Sequence, residues 1–104
     1  MKVQLMTKAL ENSLPALYAT DGNKEKDIVI KYFTPDSSWT WYVFEGEKQE
    51  NGDFLFFGLV EGFESEMGYF TLSELEAARG PLGLPIERDR HYMAVYDTAT
   101  RKIK

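Results

Sequence analysis

The stretch Phe33-Thr34-Pro35-Asp36-Ser37-Ser38-Trp39-Thr40-Trp41-Tyr42-Val43-Phe44 limits this chain more than any other. Pro35 fixes φ, and Asp36, Ser37 and Ser38 are turn formers that bond readily to nearby backbone. Directly after the turn, Trp39, Trp41 and Val43 alternate with Thr40, Tyr42 and Phe44. A strand here is therefore bulky on both faces. Such a strand cannot lie at a bare sheet edge, where it would template aggregation. The rest of the chain must cover it.

The flanking segments supply a plausible cover. Thr7 is placed to cap a helix, with Leu10, Leu14 and Leu17 at helical spacing, and Pro15 stops it after Lys8–Ser13. Strands are expected over 28–33, 39–45, 54–61 and 64–70, with a last strand or edge cover over 93–96. Asn51-Gly52 favours a tight turn, so the acidic segment 46–53 reads as a solvated, mobile hairpin tip. Gly58 and Gly68 suggest bulges or close approach. Thr71 and Glu74 form a capping-box pattern at the start of a helix over 72–79, ended by Gly80-Pro81. Residues 96–104 read as a frayed tail. The expectation is one α+β domain over 1–104: a single antiparallel meander of about four strands with two short helices packed on it.

At 104 residues the chain is one domain with a small core. It has no cysteine, which excludes disulfides, thiolate metal sites and a cysteine nucleophile. No apolar run is long enough to span a membrane and no leader pattern is present, so a cytoplasmic location without membrane contact is expected. The net charge of −5 is unevenly spread. Residues 45–66 hold seven acids (Glu45, Glu47, Glu50, Asp53, Glu61, Glu64, Glu66) against Lys48 alone, whereas residues 79–104 hold six bases against three acids. An acidic pole repels nucleic acid and attracts basic protein surfaces, or simply serves solubility.

No catalytic or ligand-binding motif stands out. His91, beside Glu87, Arg88 and Asp89, could act as a base or ligand, but it has no clustered second ligand. Glu64 and Glu66 share one face of a strand, and Glu61 would reach them only across the hairpin. The three could hold a cation or form a solvated face. Trp39, Trp41, Tyr42, Phe54, Phe56 and Phe57 lack the flanking bases that nucleobase stacking needs, so they read as core. Arg79, Arg88 and Arg90 either pair with nearby acids or form a basic patch. No catalytic residue, metal or cofactor is assigned.

Several segments together resemble a known family. These are Leu14-Pro15-Ala16-Leu17-Tyr18-Ala19-Thr20, the Phe33 to Tyr42 stretch, Phe56-Phe57-Gly58-Leu59-Val60, Glu66-Met67-Gly68-Tyr69-Phe70-Thr71-Leu72-Ser73-Glu74-Leu75 and Arg79-Gly80-Pro81-Leu82-Gly83-Leu84-Pro85-Ile86-Glu87-Arg88-Asp89. They are similar to a small bacterial family labelled only as a domain of unknown function. It is carried by plasmids, conjugative elements and prophages, often near antirestriction genes. Some proteins resembling it are described as type II-A anti-CRISPRs, which inhibit Cas9. The acidic tip 45–53 and the segment after Tyr92 lie outside the resemblance. It implies an anti-defence or element-maintenance role exerted by binding, and it carries over no catalytic residue.

The leading expectation is a non-enzymatic inhibitor of a Cas9-type nuclease, whose cationic nucleic-acid surface an acidic protein could occupy. Glu45, Glu47, Glu50 and Asp53 on the tip, with Glu61, Glu64 and Glu66 beside them, are the candidate contacts. One alternative is a DNA-binding accessory protein using Arg79, Arg88 and Arg90, with Arg101 and Lys102. Another is a small metal- or ligand-binding enzyme using His91 and the clustered carboxylates. A third is a subunit that dimerises through its aromatic sheet face; the expected state is a monomer or weak homodimer.

Overall fold

The aromatic strand stands at the centre of a five-stranded sheet. In the computed structural model, which describes residues 4–89 and 92–104, it runs as β3 (Thr40–Lys48). β1 (Glu25–Ile28) and β2 (Ile30–Phe33) precede it as one extended run bent at Val29. β4 (Phe54–Glu61) and β5 (Ser65–Thr71) follow as antiparallel hairpins. The two-residue β6 (Glu87–Arg88) adds outside β2, so the order is β5-β4-β3-β2-β6. The expected four-strand meander is thus present as β2 to β5. Among the described residues, no helix is long and apolar enough to cross a membrane.

The expectation of a single sheet is corrected by a second one. β1 pairs with β7 (Ala94–Asp97), which pairs with β8 (Lys102–Ile103), giving the order β1-β7-β8. The bend at Val29 lets one run serve both sheets. Ile28 enters one core and Ile30 the other, although on a flat strand they would share a face.

The two sheets and two helices solve the problem set by a strand with two bulky faces. On one side, α1 (Lys8–Ser13), α2 (Leu72–Ala77) and Ile86 help enclose Tyr32, Val43, Phe56 and Phe70. On the other, the small sheet covers Tyr42, Phe44 and Leu59 with Ile28 and Tyr96. Tyr96 stacks on Phe44 with ring centroids 5.5 Å apart. The tail over 96–104 is therefore not frayed: it carries the cover of the second face. Its turn is held by buried Asp97, whose Oδ1 accepts the amides of Ala99 (2.9 Å) and Thr100 (3.2 Å). Lys104 then pairs with Asp97 (3.5 Å) and with Glu25.

Local signals set the element ends. Thr7 caps α1 by accepting from the Leu10 amide, and the chain leaves the helix before Pro15. Thr71 and Glu74 form the full capping box of α2. A Cβ at Gly58 would collide with the Tyr42 carbonyl, so close strand contact requires glycine there. Gly68 faces open space, and neither glycine marks the bulge. The irregularity lies on β3, where the register shifts between Val43 and Glu45. Phe44 and Glu45 stand together opposite Phe57, and this reorients Glu45.

Candidate functional site

Seven acids between 45 and 66 are the candidate contacts, and the fold divides them into two groups. Glu45 is not on a mobile tip. It is 1% exposed, on a strand, and its carboxylate faces the 18–20 loop. Oε1 accepts the Tyr18 amide at 2.8 Å, while Oε2 accepts the Thr20 amide at 3.0 Å and the Thr20 hydroxyl. Lys26, also buried, donates to the Thr20 carbonyl and hydroxyl beside it. Burial works against ionisation of Glu45, but the Thr20 hydroxyl, the two amides and the Lys26 charge outweigh it. The carboxyl is held below its ordinary value. Tyr18, gripped by this carboxylate, has φ 71, a left-handed conformation uncommon for a tyrosine.

Three more of the acids have internal partners. Glu47 accepts the Leu17 amide at 3.2 Å, on the same loop that Glu45 holds. Asp53 accepts the Phe54 amide (2.8 Å), the Ser73 amide (3.0 Å) and the Ser73 hydroxyl (2.6 Å). The Ser73 hydroxyl is the largest influence holding the Asp53 carboxyl below its usual range. The hairpin tip is therefore shorter than expected and is tied to α2. Glu61 stands near the Tyr42 phenol; burial first, then the Glu61 charge and hydrogen bonding toward it, push that phenol up. Glu61 is also two residues from Leu59, on the side of the second core. Glu66 stands opposite Val60 and faces the other way. The three glutamates do not converge, and among the described residues no group of three or more acids or histidines is placed to hold a metal.

Glu64 and Glu66 differ from these four. Both are exposed, and no hydrogen bond or ion pair among the described residues engages either side-chain carboxylate. They line a shallow groove of about 460 Å³ with Trp39, Val60 and Phe63. The β4–β5 connection builds it: Gly62 donates its amide to the Glu64 carbonyl at 3.0 Å, closing a three-residue loop. A side chain at Gly62 would meet the indole of Trp39, so the ring rests on the turn itself. Phe63 projects outward, 96% exposed, with its ring edge-on to Trp39 at 5.4 Å and 83°. Trp39 in turn lies 6.0 Å from Trp41. Glu50, exposed in the β3–β4 turn, also lacks a partner among the described residues, but it has no aromatic neighbour in this groove.

The arginines form no comparable site. Arg79 donates to the carbonyls of Glu76 (2.9 Å) and Ala78 (2.7 Å) at the end of α2. Arg88, on β6, donates to the Gln4 carbonyl at 2.9 Å. Arg101 and Lys102 belong to the turn and strand of the small sheet. Arg90 and His91 lie outside the described residues, so the DNA-binding set and the histidine-centred site are both incomplete here.

The turn that opens the aromatic strand has its own long-range contact. Asp36 accepts the Leu82 amide at 2.8 Å, and its carboxylate packs so closely on Gly80 that any side chain there would overlap it. Two distant segments of distinctive sequence, 33–42 and 79–89, are thereby joined. Both segments lie within a family match. A family described as a protein of unknown function (DUF2958) matches residues 4–100. The chain belongs to the DUF2958 family. No curated protein and no solved structure matches it. For this DUF2958 chain, the groove residues missed in the sequence are Trp39, read as core, and Phe63. A phenylalanine between Gly62 and Glu64 in a hairpin turn was the available signal, since a turn gives it nothing to pack in.

Proposed function

We propose that this protein is a non-enzymatic anti-defence protein of a mobile genetic element, acting in the cytoplasm by binding and inhibiting a Cas9-type nuclease. The resemblance suggests the partner. The observation that supports a binding role is the groove at the β4–β5 turn, where two unpaired carboxylates flank exposed Phe63 and half-buried Trp39. Unneutralised acids beside an exposed aromatic ring favour a cationic protein surface, such as the one that holds DNA in these nucleases. The reading moves the contact surface from the β3–β4 tip to Glu64 and Glu66, because Glu45, Glu47 and Asp53 are engaged within the fold. Direct DNA binding through Arg79 and Arg88 is less well supported, since both guanidinium groups donate to backbone carbonyls.

The test is a DNA cleavage assay with a type II-A Cas9 loaded with guide RNA, run with and without this protein. Dose-dependent loss of cleavage is expected, weakening as salt is raised. Full cleavage at a large excess of the protein, across several type II-A nucleases, contradicts the proposal. A gel shift of free DNA at moderate salt would instead favour the arginine set.

A further inference from the structure

We propose that the groove lined by Trp39, Val60, Phe63, Glu64 and Glu66 receives an arginine side chain from a protein partner. This rests on the acidic-surface reading above and names the group that the surface recognises. Three features converge. The groove has aromatic walls, with the Phe63 ring edge-on to Trp39. Its rim carries Glu64 and Glu66, and neither side-chain carboxylate has a partner among the described residues. Phe63 is 96% exposed, so water now covers a ring that a ligand could cover.

A guanidinium group suits this chemistry better than an ammonium. It is planar, stacks on aromatic rings and presents a fork of donors to carboxylates. Lysine offers a compact charge that keeps its hydration more tightly. The neighbouring strand argues that the arginine belongs to a polypeptide. β5 ends the five-stranded sheet, so one side of its backbone meets no other strand among the described residues. That edge, starting at Ser65 between the two glutamates, can hydrogen-bond an extended segment while the side chain enters the groove.

The experiment titrates isotope-labelled full-length protein with a blocked Gly-Thr-Arg-Thr-Gly peptide. The reporters are the Trp39 indole N–H and the amides of residues 62–68. Peptides carrying lysine or uncharged citrulline in place of arginine serve as comparisons. Saturable shifts at these reporters are expected with arginine, with binding about fivefold weaker for lysine and none for citrulline. Glu64→Gln with Glu66→Gln should weaken arginine binding at least about tenfold, as should Phe63→Ser, with the remaining spectrum unchanged. No saturable shift with arginine, equal binding of citrulline or lysine, or shifts confined to another face would each overturn the proposal. Its failure is separable from failure of the inhibitory function. Nuclease inhibition that survives the double substitution removes the groove and leaves the function standing. Peptide binding by a protein that inhibits no nuclease does the reverse.

Discussion

The two hairpin ends of the central sheet carry acids of opposite use. At the β3–β4 end, Glu45, Glu47 and Asp53 each accept hydrogen bonds from distant backbone or side chains. At the β4–β5 end, the carboxylates of Glu64 and Glu66 accept none among the described residues and stand beside two aromatic rings. Both ends look alike as strings of charge. The difference shows that acidity in a sequence is not a surface property until the partner of each carboxylate is known. The first set locks the 17–20 loop and α2 to the sheet. The second set is available to another molecule.

The largest test of this contrast is Glu45→Gln. It keeps the shape but turns an amide N–H₂ toward the amides of Tyr18 and Thr20 and leaves the Lys26 charge uncompensated. A loss of about 3 kcal/mol in unfolding free energy is expected from denaturant titration. The same residue predicts a pH dependence. Its folded carboxyl lies below the ordinary value of 4.5. Its stabilising contribution is therefore complete above that ordinary value and is lost as pH falls through the depressed folded value. Asp53 and Asp97 shift in the same direction, so acid destabilisation should persist in Glu45→Gln with a shallower slope.

The next effect concerns the scaffold of the groove. Gly62→Val would drive a side chain into the Trp39 indole. A cost of about 1–2 kcal/mol is expected, together with a red shift of tryptophan emission as the ring moves outward. Unchanged emission would mean that Trp39 does not rest on the turn. Asp53→Asn should give a smaller fall in thermal midpoint, because it weakens the tie to Ser73 and leaves the core intact. Smallest of all, Glu64→Gln with Glu66→Gln should leave unfolding free energy within about 0.5 kcal/mol of the parent. A large loss there would show that these acids, too, serve the fold.

Much of the fold was legible because its signals are local. Thr7, Pro15, Thr71 and Glu74 set the helix starts and stops, and alternation with Asn51-Gly52 set the hairpins. The second sheet was not legible. β8 is two residues long, too short for a period to show, and β1 and β2 divide at Val29 with no glycine or proline to mark the bend. The exposure of Glu45 was misread for a related reason. It opens the acidic run and was counted with the tip, while unbroken alternation would put it on the same side as Trp41 and Val43. The bulge at Phe44 adds one residue and turns it to the opposite side, toward Tyr18 and Thr20. Glu64 and Glu66 stood out as neighbouring acids, although Glu64 lies in the turn before β5 and not on the strand. Their aromatic setting did not, since Trp39 and Phe63 are 24 positions apart and meet only through the β3–β4 pairing.

The central claim is that the β4–β5 end, not the β3–β4 tip, is the working surface. It is tested by measuring inhibition of Cas9 cleavage by two charge-reversed proteins, each first shown to melt as the parent does. Glu64→Lys with Glu66→Lys should abolish inhibition, whereas Glu50→Lys, on the tip, should retain it. Inhibition lost on reversal of Glu50 and retained on reversal of Glu64 and Glu66 would contradict the account.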